Sequence, residues 1–221
     1  MAEAIDYFSS RHPLRQLASR VSLRARRTMF QTFWDTMKPG PGMRVLDVGV
    51  TPDRSLPESN FFEALYPHPE HLTATSIEDA SFLEAQYPGL TFRQTAPGPL
   101  PFEDGSFDIA VSFAVLEHVG DREAQRAFIA ELNRVAKRVF LTTPDRAFPI
   151  EMHTFLPALH WLPQPLHQRA LRTLGMDFWA ETANLNLLDR ETLRALFPQP
   201  EAVKLQSHRL LGWSSNLIAS T

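Results

Sequence analysis

Cysteine is absent from the 221 residues. That excludes disulfides, thiolate metal sites and cysteine nucleophiles, and it leaves the redox compartment open. No apolar run approaches the length of a membrane span, so no integral membrane segment is expected. The opening Met-Ala-Glu-Ala-Ile-Asp-Tyr-Phe lacks both a basic stretch and an apolar core, so it does not read as a secretory signal. Cytoplasm is the default location. A surplus of positive charge is also missing. Twenty-two Lys and Arg face 25 Asp and Glu, a net charge of -3. This balance argues against nucleic acid as the main partner. Internal repeats and low-complexity tracts are absent. Glycine is scarce, at 9 residues, and the G-x-G-x-x-G spacing of a dinucleotide fingerprint is not found, so NAD is not expected.

What is present reads as one soluble domain over 1–221. A hydrophobic share of 43% with 21% charged residues is ordinary for a globular chain of this length. The 18 prolines are uneven. Many fall in 39–69, 88–101 and 144–165, which read as irregular connections. Residues 13–38 read as a helix, with Pro13 in its first turn and Leu14, Leu17, Val21, Ala25 and Met29 at helical spacing. With the turn that follows, 1–40 forms an N-terminal helical segment. Its arginines (Arg11, Arg15, Arg20, Arg24, Arg26, Arg27) read as a solvated face, with an anionic or membrane surface as the sharper alternative.

Beyond it, strands and helices alternate. Strands are expected at 43–50, 71–76, 90–94, 107–113 and 138–143. Helices are expected at 58–66, 78–86 and from an Asp121 cap to Ala136. Alternation of this kind implies a parallel sheet with right-handed crossovers. Residues 144–188 break the pattern. A short helix capped by Asp189 follows, then strands at 202–211 and 216–220 joined by Gly212-Trp213-Ser214-Ser215.

The most informative stretch is 100–119, Leu-Pro-Phe-Glu-Asp-Gly-Ser-Phe-Asp-Ile-Ala-Val-Ser-Phe-Ala-Val-Leu-Glu-His-Val. It reads as a turn, a strand buried on both faces and a polar loop at the strand's carboxyl end. Ligands of open α/β sheets bind at that edge. The string resembles the central segment of class I S-adenosylmethionine-dependent methyltransferases of the small-molecule branch. Val45-Leu46-Asp47-Val48-Gly49 is similar to the opening of that family's first motif. The resemblance implies a three-layer α/β sandwich, Rossmann-like, with a mainly parallel seven-stranded sheet and an antiparallel last strand. It also implies S-adenosyl-L-methionine as cofactor, and it makes 144–188 an insertion or lid on the substrate side.

Carried onto this sequence, the resemblance implies a cofactor site at Asp47, Gly49, Val50, Thr51, Asp53, Ser76, Ile77, Glu78, Ala96, Ser112 and Phe113. Three positions depart from the family pattern. Val50-Thr51-Pro52-Asp53 replaces the further glycines. Ser76 stands where an acidic residue binds the ribose, with Glu78 two residues later. Ala96 stands where an Asp meets the adenine amino group.

For the transfer step, His153 with Glu151 is the better candidate base, and His118 is the second. His153, His160 and His167 recur every seven residues, but Pro157, Pro163 and Pro165 break any continuous helix between them, so no metal set is read. The Asn-Pro-Pro-Tyr-type tetrapeptide of amide and adenine N-methyltransferases is absent. The expected function is therefore methyl transfer to an oxygen of a small-molecule acceptor such as a glycan, a lipid-linked sugar or another metabolite. A lipid-linked acceptor would bring peripheral membrane contact. The alternative is a non-catalytic, methyltransferase-like binding or scaffold protein, suggested by Val50, Ser76 and Ala96.

Overall fold

The computed structural model describes residues 13–56 and 59–221, with side chains from residue 21 onward. The expected place of Arg11, and the side chains of Arg15 and Arg20, lie outside the described residues.

Helix α1 (Pro13–Met37) leads into strand β1 (Val45–Val48), then α2 (Phe61–Leu65), β2 (Leu72–Ser76), α3 (Phe82–Gln86), β3 (Thr91–Gln94) and β4 (Phe107–Phe113). Helix α4 (Arg122–Val135) runs directly into β5 (Ala136–Pro144). Then come α5 (Gln164–Thr173), α6 (Asp177–Ala180), α7 (Arg190–Leu196), β6 (Lys204–Leu210) and β7 (Trp213–Ser220). The strands form one sheet in the order β3-β2-β1-β4-β5-β7-β6. The first five are parallel, and β7 is antiparallel to both its neighbours. The expected fold class is what the chain adopts.

Each face of the sheet carries its own apolar layer. Leu46, Ala110, Val139 and Leu141 pack with Ile129 and Leu132 of α4 and Leu193 of α7. On the other face Val45, Ile109, Val111 and Phe140 pack with Met29, Phe33 and Met37 of α1 and Phe62 of α2. Burial on both faces is why β1 and β4 read as unbroken apolar runs. The aromatic rings of Phe33, Phe62, Phe113 and Phe140 meet at centroid distances of 5.1 to 5.8 Å.

Strand order reverses between β1 and β4, so the two crossovers leave the sheet on opposite faces and open a crevice at their carboxyl ends. Val45 pairs with Ile109 and Asp47 with Val111 across this switch point. The Ser112 hydroxyl donates to the Val48 carbonyl at 2.9 Å and holds the two strand ends in register.

Several element limits differ from expectation. Helix α2 begins at Phe61 rather than 58, because Asn60 adopts a left-handed conformation (φ 51°) just before it. Helix α3 starts at Phe82, since the Asp79 carboxylate accepts the Ser81 N–H and forms a turn first. Strand β7 begins at Trp213. The connection from β6 is only Leu211-Gly212, both with positive φ, the two-residue turn whose twist matches a hairpin. Asp121 and Asp189 cap α4 and α7 as expected, accepting from the Ala124 and Thr192 N–H groups.

Candidate active site

The crevice is built from the ends of β1, β2 and β4. Gly49 follows β1 with φ +101°, and a Cβ there would lie 2.3 Å from a methyl of Val115. Only glycine permits this approach. The Gly49 and Val50 N–H groups both donate to the Thr75 carbonyl, at 2.8 and 3.1 Å. They extend the β1–β2 ladder rather than face a ligand, as the motif alone suggests they would.

The loop that replaces the missing glycines is tied by side chains. Asn60 accepts from the Thr51 N–H at 3.0 Å and donates to the Thr51 carbonyl at 2.8 Å. Asp53 accepts from the Ser55 N–H and hydroxyl and from the Ser59 hydroxyl. Partial burial works against its ionisation, but these bonds outweigh it and hold the carboxyl below its usual value. Thr51 and Asp53 thus spend their polar groups on the loop itself.

Asp47, at the end of β1, is buried against Glu63 of α2, which is buried too. Burial, and then the Glu63 charge, push the Asp47 carboxyl well above its ordinary range. Glu63 is also raised by burial. Neither Glu63 oxygen has a hydrogen-bond partner, and two acids buried together with raised pKa values favour keeping one proton between them. The Arg26 charge of α1 works on Asp47 in the opposite sense, and its guanidinium lies over the Phe61 ring at 5.2 Å. Glu63 and Arg26 are site residues that sequence reasoning missed. Glu63 stood in a segment read simply as a helix, and Arg26 in a set read as a solvated face. That reading fits Arg24 and Arg27, which are exposed.

Ser76 ends β2 and is buried, and its hydroxyl accepts the Glu78 N–H at 3.2 Å. Ile77 projects outward with 60% of its surface exposed. Glu78 and Ala96 are exposed on the same rim. Phe113, at the end of β4, packs its ring on Phe61 at 4.9 Å.

A second cluster lies just past β4 and β5. Glu117 is fully buried, and its Oε2 accepts the Thr143 hydroxyl at 3.0 Å. Its Oε1 has no hydrogen-bond partner. His118 donates Nδ1–H to the Asn184 carbonyl at 2.6 Å, which turns Nε2 toward Glu117 Oε1, 3.9 Å away. His153 reaches the same place from the turn after β5. Its Nδ1 is bonded to Glu151 Oε1 at 2.6 Å. The two imidazole rings meet edge to face at 4.9 Å, and Trp179 of α6 closes over both.

Glu151 is itself over-determined. Its carboxylate accepts from the His153 N–H, the Thr154 N–H and the Thr154 hydroxyl. Burial would raise it, yet His153 and these donors hold it down to about 2. Burial likewise opposes charge on His153, but the Glu151 hydrogen bond and the Glu151 and Glu117 charges prevail and raise its pKa. His118, Glu151 and His153 are therefore brought together by the fold. His160 and His167 stand apart, in a 3-10 turn and in α5, beside a cavity of about 150 Å³ that Arg122 and Arg146 also line.

A family profile described as a methyltransferase domain matches residues 58–139. A probable S-adenosylmethionine-dependent methyltransferase of Mycolicibacterium smegmatis is 34% identical over 110 residues, 48% of this chain. In its central part the chain is similar to S-adenosylmethionine-dependent methyltransferases. The chain matches only 39% of the length of that mycobacterial relative. Its fold is similar to the magnesium protoporphyrin IX methyltransferase of Synechocystis, solved with bound S-adenosylhomocysteine. The TM-score is 0.58 at 15% identity, covering 97% of this chain and 90% of that one. It is also similar to an N-methyltransferase of Bradyrhizobium japonicum in complex with S-adenosylhomocysteine. There the TM-score is 0.53 at 15% identity, covering 88% and 85% of the two chains. Among the described residues, no helix is long and apolar enough to cross a membrane.

Proposed function

We propose that this chain transfers the methyl group of S-adenosylmethionine to an oxygen of a small-molecule acceptor: a glycan, a lipid-linked sugar or another metabolite. The observation that carries the reading is the convergence of Glu117, His118 and His153 past β4 and β5, on the same sheet edge as the Asp47–Glu63 pair.

The residues present fit the cofactor. A buried acid pair whose Glu63 oxygens lack other donors suits an ammonium group, which would take over the role of the shared proton. Exposed Ile77 offers an apolar wall for an adenine ring, and Ser76 and Glu78 offer oxygens to ribose hydroxyls. When bound, the cofactor supplies an electrophilic methyl on a sulfonium. The chain then has to position the acceptor, exclude water and let a proton leave. Glu151 positions His153, and His153 and His118 face the acceptor oxygen. Transfer would form an O–CH3 bond as the S–CH3 bond breaks, and the hydroxyl proton would pass to solvent.

The 144–188 segment serves as a substrate-side lid. Trp161, Leu166, Leu174 and Phe178 are exposed on it, which supports an acceptor with an apolar part.

The test is calorimetric titration with S-adenosylmethionine and S-adenosylhomocysteine. Incubation with methyl-labelled cofactor and sugar, lipid-linked and phenolic hydroxyls follows, read by mass spectrometry. Binding with label on an acceptor oxygen is the expected result. Absence of heat and of thermal stabilisation at saturating ligand would reject the reading in favour of a scaffold.

A further inference from the structure

The cluster past β4 and β5 gathers electron-pair donors around a buried carboxylate oxygen, Glu117 Oε1, that has no hydrogen-bond partner. One donor atom from each of Glu117, His118 and His153 lies within 4.8 Å of the others. Hydrogen bonds elsewhere fix which atoms these can be. His118 donates Nδ1–H to the Asn184 carbonyl, and His153 has Nδ1 on Glu151, so in the neutral rings Nε2 carries the lone pair. Glu117 Oε2 is held by Thr143, so Oε1 is left for the cluster. A fully buried carboxylate oxygen without a donor costs energy unless a cation or proton meets it.

We propose that Glu117 Oε1, His118 Nε2 and His153 Nε2 form a binding site for a divalent transition-metal cation. Two imidazoles and one carboxylate suit the zinc, iron(II) and manganese(II) class, and three protein ligands leave positions open. Ligand bonds of roughly 2.0–2.2 Å place donors about 3–4 Å apart. The 3.9 Å between His118 and Glu117 is already in that range. The outer contacts are those of metal-ligating histidines, one ring nitrogen on a carbonyl and the other on a carboxylate. Trp179 covers the rings and limits water access. This gives His153 a ligand's role in place of the base expected from its sequence context.

The use of the ion rests on the methyl-transfer reading; its binding does not. An acceptor hydroxyl on an open position would be acidified by the ion and lose its proton to solvent. The alkoxide oxygen would then attack the methyl carbon, forming O–CH3 while the S–CH3 electron pair returns to sulfur.

Chelator-stripped protein is titrated with Zn2+ and with Co2+, without cofactor, by calorimetry and by the visible spectrum of cobalt. One equivalent is expected to bind at micromolar or lower Kd, with cobalt bands of low coordination number. Glu117→Gln and His153→Gln are each expected to weaken binding at least tenfold, with folding checked by circular dichroism. Glu151→Gln, which loosens only the outer contact, is expected to weaken it by about tenfold. Absence of stoichiometric binding, or the same affinity in folded Glu117→Gln and His153→Gln, would overturn the site. Metal binding without methyl transfer would defeat the functional reading and leave the site standing. Methyl transfer at an unchanged rate after metal removal would overturn the ion's catalytic use.

Discussion

Asp47 and Glu63 make the sharpest single-residue prediction. Burial and the neighbouring acid raise the Asp47 carboxyl in the folded chain, while the unfolded chain ionises at about 3.9. Stability tied to the bound proton is therefore complete below the unfolded value and is lost as pH rises through the folded value. Asp47→Asn cannot titrate, and its amide can donate to Glu63. Melting temperatures of the variant are expected to fall less than those of wild type between about pH 4 and 8. The same variant is expected to lose at least tenfold in S-adenosylhomocysteine affinity. Parallel pH profiles for the two proteins would reject the shared proton. Gly49 gives a second test. Gly49→Ala meets Val115 at 2.3 Å and carries a positive φ, so two costs combine. Adding Val115→Ala relieves the clash alone. The double variant is expected to regain part of the lost stability and to stay about 1–2 kcal/mol below wild type in chemical unfolding.

At the scale of elements, Gln125 joins the body of the sheet to the 144–188 segment. Its Nε2 donates to the Leu116 and Asn186 carbonyls, each at 2.9 Å, and the side chain is fully buried. Gln125→Leu takes the side-chain donor from the Asn186 carbonyl and leaves the Leu116 carbonyl only the Val119 N–H at 3.3 Å, a cost of about 1–3 kcal/mol. The Asn186 N–H, bonded to the Glu117 carbonyl, should then exchange with deuterium faster than in wild type. Unchanged exchange there would show that the segment is anchored elsewhere. Elements with strong local signals were legible in the sequence. Phe107–Phe113 has the expected limits because burial on both faces needs an unbroken apolar run. Asp121 and Asp189 cap their helices by a local rule. Less legible was what depends on tertiary approach. Nothing periodic links Asp47 to Glu63, and the Asn60 clamp substitutes for glycines that a motif reader expects. His118 and His153 were each recognisable as reactive types. Their meeting with Glu117 was not, because 34 residues, a helix among them, lie between the two histidines.

For the molecule as a whole, cofactor binding is a stability statement. A ligand at about 100 times its Kd that binds only the folded chain adds about 2.7 kcal/mol. In a chain of this size each kcal/mol moves the melting point by about 2–4 °C, so a rise of about 5–10 °C is expected with S-adenosylhomocysteine in differential scanning fluorimetry. A flat melting point at that concentration would contradict the proposed crevice. The sheet order has a different consequence, for the chain during synthesis. Strand β5 pairs with β4 on one side and with β7 on the other, and β7 emerges roughly 70 residues after β5 at about 5–20 residues per second. For about 4–14 s the outer edge of β5 is a row of bare amide and carbonyl groups beside an apolar face. Nascent chains stalled within that window should be far more prone to cross-pair with their neighbours than chains that carry β7, so the last hairpin works as the seal that ends a period of exposure.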